Sequence, residues 1–233
     1  MLDKRLRCVA DMVRPSSRLA DIGTDHAYLP AELVASGRCP HAIACDIRPG
    51  PADAARRTVQ EAGLADRIEV RLGDGLAPLH WTEADDIVIA GMGGETIAAI
   101  LRNGLSRWLP EGREALGRMA FLLQPMSRPE ELRRMLLTGG FSLFEEKTVE
   151  ESGHLYTVMR AGYTGAPPCT DEASFYIGAL SPKDGAAFLR KQRIRLARRA
   201  DGLRLTDAPA EERKRIEGIL RAIARHLEKE SAS

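Results

Sequence analysis

No run of this sequence approaches the roughly 18 consecutive apolar residues that a membrane-spanning helix requires. The early charges Lys4, Arg5 and Arg7 are not followed by an apolar core, so no secretory leader is read. Cysteine is scarce and unpatterned. Cys8, Cys39, Cys45 and Cys169 show no CxxC or CxxH spacing, which argues against a zinc-type ligand set and a disulfide framework. Reduced thiols that pack in the core are the plain reading. No internal repeat and no low-complexity tract is present, and the formal net charge is only +1. These absences lead to the expectation of a cytoplasmic protein with no metal and no membrane partner; the oligomeric state stays open, with a monomer favoured.

What is present is an ordinary globular composition, 44% hydrophobic and 29% charged over 233 residues, enough for one sizeable core and a small accessory element. Leu2, Leu6, Val9, Ala10 and Val13 share one helical face, which Pro15 ends. Five apolar runs then read as buried strands, at residues 18–23, 42–46, 68–72, 86–90 and 119–123, with helix-compatible segments between them. One such segment, 51–62, begins at Pro51 and closes on Gly63 in a C-cap position. The pattern changes at 141–149 and 154–159, two alternating runs joined by Glu150-Glu151-Ser152-Gly153, which reads as a hairpin. A doubly wound parallel sheet that finishes in an antiparallel hairpin has the outline of an α/β, Rossmann-like class I methyltransferase.

Residues 162–170 are linker-like, and the remainder reads as helical. Leu189, Leu196 and Leu203 recur every seven residues, and Ile216, Ile219, Leu220, Ile223 and Leu227 follow a 3,4 spacing. With a turn and N-cap at Thr206-Asp207-Ala208-Pro209, this predicts a coiled-coil-like helical hairpin. The expected division is 1–165 for the catalytic domain and 166–233 for the helical one.

The first strand ends in Asp21-Ile22-Gly23-Thr24-Asp25-His26. Gly23 lets the backbone turn sharply and lets a ligand approach the main chain. The dinucleotide fingerprint GxGxxG is missing, and Asp25 would repel the pyrophosphate which that fingerprint holds. Acids here suit a cofactor with an amino-acid end and no phosphate, because Asp21 or Asp25 can face an ammonium or sulfonium charge. S-adenosylmethionine is therefore favoured over NAD. Asp46 ends the second strand, where an acid accepts from ribose hydroxyls in either cofactor. Asp74, between Gly73 and Gly75, ends the third; it can accept from an adenine amino group, although an Asp-Gly turn accounts for it equally well. Thr24, Tyr28, Ile47 and Gly91 complete the predicted cofactor contacts.

The fourth strand runs into Gly91-Met92-Gly93-Gly94-Glu95. An Asn/Asp-Pro-Pro-aromatic loop, common in enzymes that methylate exocyclic amines, is absent. The glycines leave room for a flat ring attacking through a ring nitrogen; a flexible turn is the alternative. The histidines are scattered and form no Ser/His/Asp or Cys/His set. Arginine supplies 28 of the 34 basic residues. Lys4, Arg5 and Arg7 form one group, and Arg190, Lys191, Arg193, Arg195, Arg198, Arg199 and Arg204 another, against the single acid Asp201. Such runs are also solvated faces or products of genome composition; beside a methyltransferase fold, a footprint for RNA phosphates is the better reading, with Lys4, Arg5, Arg7, Arg190, Lys191, Arg195, Arg198 and Arg199 as the expected contacts.

The strings at 2–6, 20–30 (Ala-Asp-Ile-Gly-Thr-Asp-His-Ala-Tyr-Leu-Pro), 90–95 (Ala-Gly-Met-Gly-Gly-Glu) and 123–126 (Leu-Gln-Pro-Met) resemble the bacterial tRNA (adenine-22)-N1-methyltransferase family, TrmK. The resemblance covers nearly the whole chain, though this tail is unusually rich in arginine. It implies methyl transfer from S-adenosylmethionine to N1 of an adenine in tRNA, with the backbone of Gly91 to Gly94, including Met92, and the Gln124 side chain orienting the base. A methyltransferase for another RNA or a small molecule, and a non-catalytic RNA-binding module that retains a nucleoside pocket, stay as alternatives.

Overall fold

Ile87, Val88 and Ile89 are all fully buried, and so are Phe121, Leu122 and Leu123. Successive side chains on a strand point to opposite faces, so such runs form only where both faces of a sheet are covered. In the computed structural model, which describes residues 2–204 and 209–229, that is where they lie. The elements run α1 (Lys4–Met12), β1 (Leu19–Ile22), α2 (Tyr28–Ala35), β2 (Ala42–Asp46), α3 (Pro49–Glu61), β3 (Ile68–Leu72), β4 (Asp86–Gly93), α4 (Gly94–Leu116), β5 (Ala120–Ser127), α5 (Pro129–Thr138), β6 (Phe141–Glu151), β7 (His154–Tyr163), α6 (Glu172–Ile177), α7 (Pro182–Arg204) and α8 (Ala210–Glu228). The sheet order is β3-β2-β1-β4-β5-β7-β6. Strands β1 to β5 pair in parallel, and β7 pairs antiparallel with both β5 and β6. One face packs Ile87, Ile89, Phe121 and Leu123 against α4 and α5. The other packs Val88 and Leu122 against α1, α2 and α3.

The strands outrun the apolar runs that announce them. β4 continues to Gly93 and β5 to Ser127, with register shifts on either side of Met92 that let the ladder absorb the glycine-rich segment. The hairpin turn is tighter than the four-residue joint expected, because Glu150 pairs with Leu155 and Glu151 with His154. Only Ser152 and Gly153 turn, with φ of 51° and 75°, as a two-residue turn with both φ positive requires. Gly162 and Tyr163 belong to β7 instead of the linker, since Tyr163 pairs with Phe141.

The tail has its own apolar cluster, in which Leu189, Leu196 and Ala200 of α7 meet Ile216, Ile219 and Ile223 of α8. α8 returns along α7, so that His226 Nε2 lies 3.1 Å from the Leu180 carbonyl just ahead of α7. Of the turn expected at Thr206 to Pro209, residues 206–208 lie outside the described residues; Pro209 is the N-cap of α8, without a side-chain hydrogen bond.

A buried ion pair joins tail to sheet. Arg133 (α5) donates from Nη2 to Glu146 Oε1 (β6) at 2.6 Å, and its Nη1 donates to the carbonyls of Phe175 and Tyr176 in α6, both at 3.1 Å. The Ala179 amide donates to Glu146 Oε2 at 3.2 Å. Gly178, at φ 64°, passes so close that a Cβ there would sit 2.2 Å from Glu146 Oε2. Both charged side chains are almost wholly buried, so removing one partner strands a charge away from water. Arg133→Ala is expected to lower stability by about 3–5 kcal/mol in urea unfolding, and Arg133→Met with Glu146→Leu by less than Arg133→Ala alone.

Candidate active site

Ligands of open α/β sheets bind beyond the carboxyl ends of the strands where strand order reverses, here between β1 and β4. A cavity of about 620 Å³ opens there, walled by the loops after β1, β2 and β3, by the end of β4 and by the start of α4, with Arg5 and Leu6 of α1 also lining it. The loop after β1 is bent at Gly23, with φ of 77°, a conformation that strains other residues. The amides of Gly23 and Thr24 both donate to the Cys45 carbonyl, at 2.8 and 2.9 Å, which pins the loop against β2. A Cβ on Gly23 would also lie 1.9 Å from Met92 Cε, so that bend and the fourth loop are packed as a pair.

Three acids tip three neighbouring strands. Asp21 is buried, and burial, with Asp46 nearby, pushes its carboxyl up to about 6 against the opposing hydrogen bond from Thr24. Asp46 is also buried and accepts from the Arg48 amide at 2.8 Å through Oδ1. Asp74 is exposed at the cavity rim; the Gly73 amide before it donates to the Asp46 carbonyl at 2.9 Å. Gly75, Asp25, Tyr28 and Ile47 line the same space, as does Thr24. All the predicted cofactor residues are thus brought together around one cavity. His26, one of the scattered histidines that the sequence assigns to no catalytic set, also lines the wall and stacks on Tyr28 with ring centroids 5.1 Å apart.

The acceptor side differs from expectation. Gly91 and Met92 line the cavity, but Gly93 and Gly94 do not. Gly94 sits against the β5–α5 turn, where a Cβ would lie 2.4 Å from the Arg128 carbonyl oxygen, so its smallness serves packing. Gln124 is fully buried and is not a cavity residue either. Its Oε1 accepts from Arg5 Nη1 at 2.6 Å and from the Gly91 amide at 3.1 Å, while its Nε2 donates to the Pro125 carbonyl at 2.9 Å. Gln124 therefore orients Gly91 and Arg5, not a ligand. Arg5, expected among outward cations, turns inward with a side chain only 15% exposed. The signal was faint: Leu6 lies on the buried face of α1, but nothing local says which loop that helix covers.

The remaining basic residues divide. Arg7 pairs with Glu32, Arg195 with Glu130 and Arg199 with Glu212. Lys4 is exposed, and so are Arg190, Lys191 and Arg198 along α7.

Acid-tipped strands β1, β2 and β3 on one side of the reversal point, facing the glycine-rich end of β4 on the other, define a class I methyltransferase under this strand order. A family described as "Methyltransferase domain" matches residues 2–159. The Bacillus subtilis tRNA (adenine(22)-N(1))-methyltransferase is 38% identical over 195 residues, spanning 82% of this chain and 79% of its own. The crystal structure of the B. subtilis m1A22 tRNA methyltransferase TrmK superposes with a TM-score of 0.77 at 32% identity, over 98% of this chain and 96% of that one. A Streptococcus pneumoniae structure in complex with S-adenosyl-L-methionine matches with a TM-score of 0.77 at 33% identity, over 97% of this chain and 100% of that one. The chain belongs to the TrmK family of tRNA (adenine-22)-N1-methyltransferases.

Replacing Gln124 by Leu would leave the Gly91 amide and the Arg5 guanidinium without their shared acceptor. The expected outcome is a loss of about 1–3 kcal/mol in urea unfolding, with turnover reduced more than cofactor affinity because the acceptor side is what moves.

Proposed function

We propose that this protein transfers the methyl group of S-adenosylmethionine to N1 of adenine 22 in tRNA. The observation that carries the reading is the set of Asp21, Asp46 and Asp74 at adjacent strand tips, facing Gly91 across one cavity. The residues suit the cofactor. Asp46 is placed for ribose hydroxyls and Asp74 for an adenine amino group, and the buried Asp21 gains a counter-charge from a cationic ligand end. No phosphate-binding glycine pattern competes. When bound, the cofactor supplies an electrophilic methyl on a positively charged sulfur.

The chain's own part is placement. N1 of adenine holds its lone pair at neutral pH, so no side chain has to remove a proton before attack. Gly91, held by Gln124, lines the cavity with Met92 and Arg5, and alignment of the two reactants is the main contribution. N1 lies on the pairing edge, so the base must leave any duplex to enter. Lys4 on α1 and Arg190, Lys191, Arg195, Arg198 and Arg199 on α7 supply a cationic face for the tRNA backbone. The catalytic domain of residues 1–165 and the helical domain of 166–233 divide the work in this reading, which places the protein in the cytoplasm with its tRNA.

Incubation with S-adenosylmethionine and unmodified tRNA, followed by mapping of the modified base, tests the reading. N1-methyladenosine at position 22 is expected; methylation confined to another RNA or a small acceptor, or cofactor binding with no turnover on any RNA, overturns it.

Asp21 gives the cofactor affinity a pH dependence. Burial pushes its carboxyl up to about 6, above the usual aspartate range, so falling pH protonates it and removes the counter-charge. S-adenosylmethionine affinity is expected to hold above pH 7 and to weaken as pH drops through 6, by up to roughly tenfold per unit. Asp21→Asn should bind weakly at pH 8 with a flatter profile, as read by calorimetry. The unliganded fold should gain stability from this group as pH falls from 6 towards 4, because the folded state takes up the proton first.

A further inference from the structure

A second concavity lies between the β5–α5 turn, the start of β7 and the outer face of α7. It measures about 510 Å³, within the range of roughly 300–1,000 Å³ that small ligands occupy. We propose that this groove is a nucleotide subsite, which receives an unstacked nucleotide of the same tRNA beside the adenine being methylated. The proposal rests on the tRNA reading above.

Its walls suit a base. Met126, Leu155, Phe188 and Ile194 contribute apolar surface, and Met126 and Ile194 are 42% and 54% exposed. Large apolar side chains left open to water on facing walls mark a surface that covers something. Its rim suits a phosphate. Lys191, Arg195 and Arg198 line it at i, i+4 and i+7 of α7, one helical face. Arg195 is engaged with Glu130, whereas Lys191 and Arg198 have no ion-pair partner among the described residues.

Its floor suits an edge with donors and acceptors. Thr157 is only 1% exposed, and its Oγ1 has no hydrogen-bond partner; Gln192 Oε1 is likewise buried and unpartnered. Both residues line the groove. A buried hydroxyl and a buried amide without partners are unfavourable in the empty protein, and the polar edge of a base supplies what they lack. An apolar peptide could meet the floor through its main chain but would leave the cationic rim unmatched.

Proximity to the first cavity favours an occupant that is part of the same substrate. Met92, which lines the first cavity, pairs across β4 and β5 with Pro125, which lines the groove. The two concavities therefore border the same pair of strand ends. Extruding one adenine unstacks its neighbours, and a groove that takes one of them offsets that loss.

The test uses full-length protein with S-adenosylhomocysteine and tRNAs that each carry one abasic nucleotide flanking position 22. Loss of the seated base is expected to weaken binding roughly tenfold at a single position. Thr157→Val and Ile194→Ser should each weaken binding of intact tRNA, and neither should weaken binding of that abasic tRNA further. Because no charge is removed, the slope of log affinity against log salt should stay that of wild type. Ile194 is exposed, so that variant folds even if the buried Thr157→Val does not. Losses that add independently at every position overturn the proposal. So does unchanged tRNA affinity in both variants, the result if a protein or small molecule fills the groove. Wild-type methylation of intact tRNA, run alongside, separates the two readings: if it occurs without coupling, the groove alone fails, and if it is absent, the tRNA reading fails with it.

Discussion

The geometry of this molecule hangs on one buried ion pair. Arg133 and Glu146 lie in the seam between α5, β6 and α6, where the guanidinium also satisfies two carbonyls that α6 cannot use internally. An apolar seam of similar volume could match or exceed the stability of such a pair. An apolar seam would also tolerate sliding, whereas a planar guanidinium with fixed donors accepts one arrangement. Around it, Arg134 reaches Glu172 at 2.7 Å and lies over the Phe175 ring, while Arg215 of α8 approaches the same Glu172 at 3.5 Å. The tail is thereby registered against the catalytic sheet, and the cations of α7 are held over β7.

A second polar knot does the corresponding work inside the catalytic half. Gln124 gathers α1, β4 and β5 through one carbonyl oxygen that accepts from both Arg5 and Gly91. The two knots differ in what they leave unsatisfied. Around Gln124 the hydrogen-bonding groups are used, so the acceptor side is set before any ligand arrives. At Asp21, by contrast, a carboxylate is buried beside another acid with little to compensate it. Under the proposed function a cationic ligand end would relieve that unfavourable charge, and binding selectivity and local instability would then have one origin.

Much of this was legible in the sequence, for reasons that particular residues make plain. Strands buried on both faces announce themselves as apolar runs, so β1, β2, β4 and β5 could be located from Ile22, Cys45, Val88 and Leu122, whereas β3, half exposed at the sheet edge, showed only an alternation around Val70. The loop after β1 was legible as a cavity wall because acids and one glycine at strand ends are costly to place without a use. Ladder extension was not, since β4 absorbs Gly91 and Gly93 only through irregular pairing with Pro125 and Ser127. Arg5 and Gln124 were misread in role for one physical reason. A polar residue on a helix or strand is assigned by its local periodicity to solvent or ligand, and only the tertiary fold reveals that two of them satisfy each other.

The chemistry explains why so much of the recognition surface would lie far from the reacting atoms. Attack by a ring nitrogen needs no proton abstraction, so under the proposed function a small set of groups around Gly91 would serve the transfer without by itself choosing among adenines. Choice then has to come from binding energy gathered elsewhere and spent on holding one base out of its helix. A tail fixed by Arg133 can do this because its cations cannot drift relative to the cavity. Backbone phosphates alone would position any tRNA alike; the apolar walls and unpartnered Thr157 and Gln192 atoms of the second groove add a contact that depends on the base, and they lie on the elements that Arg133 and Glu146 bring together.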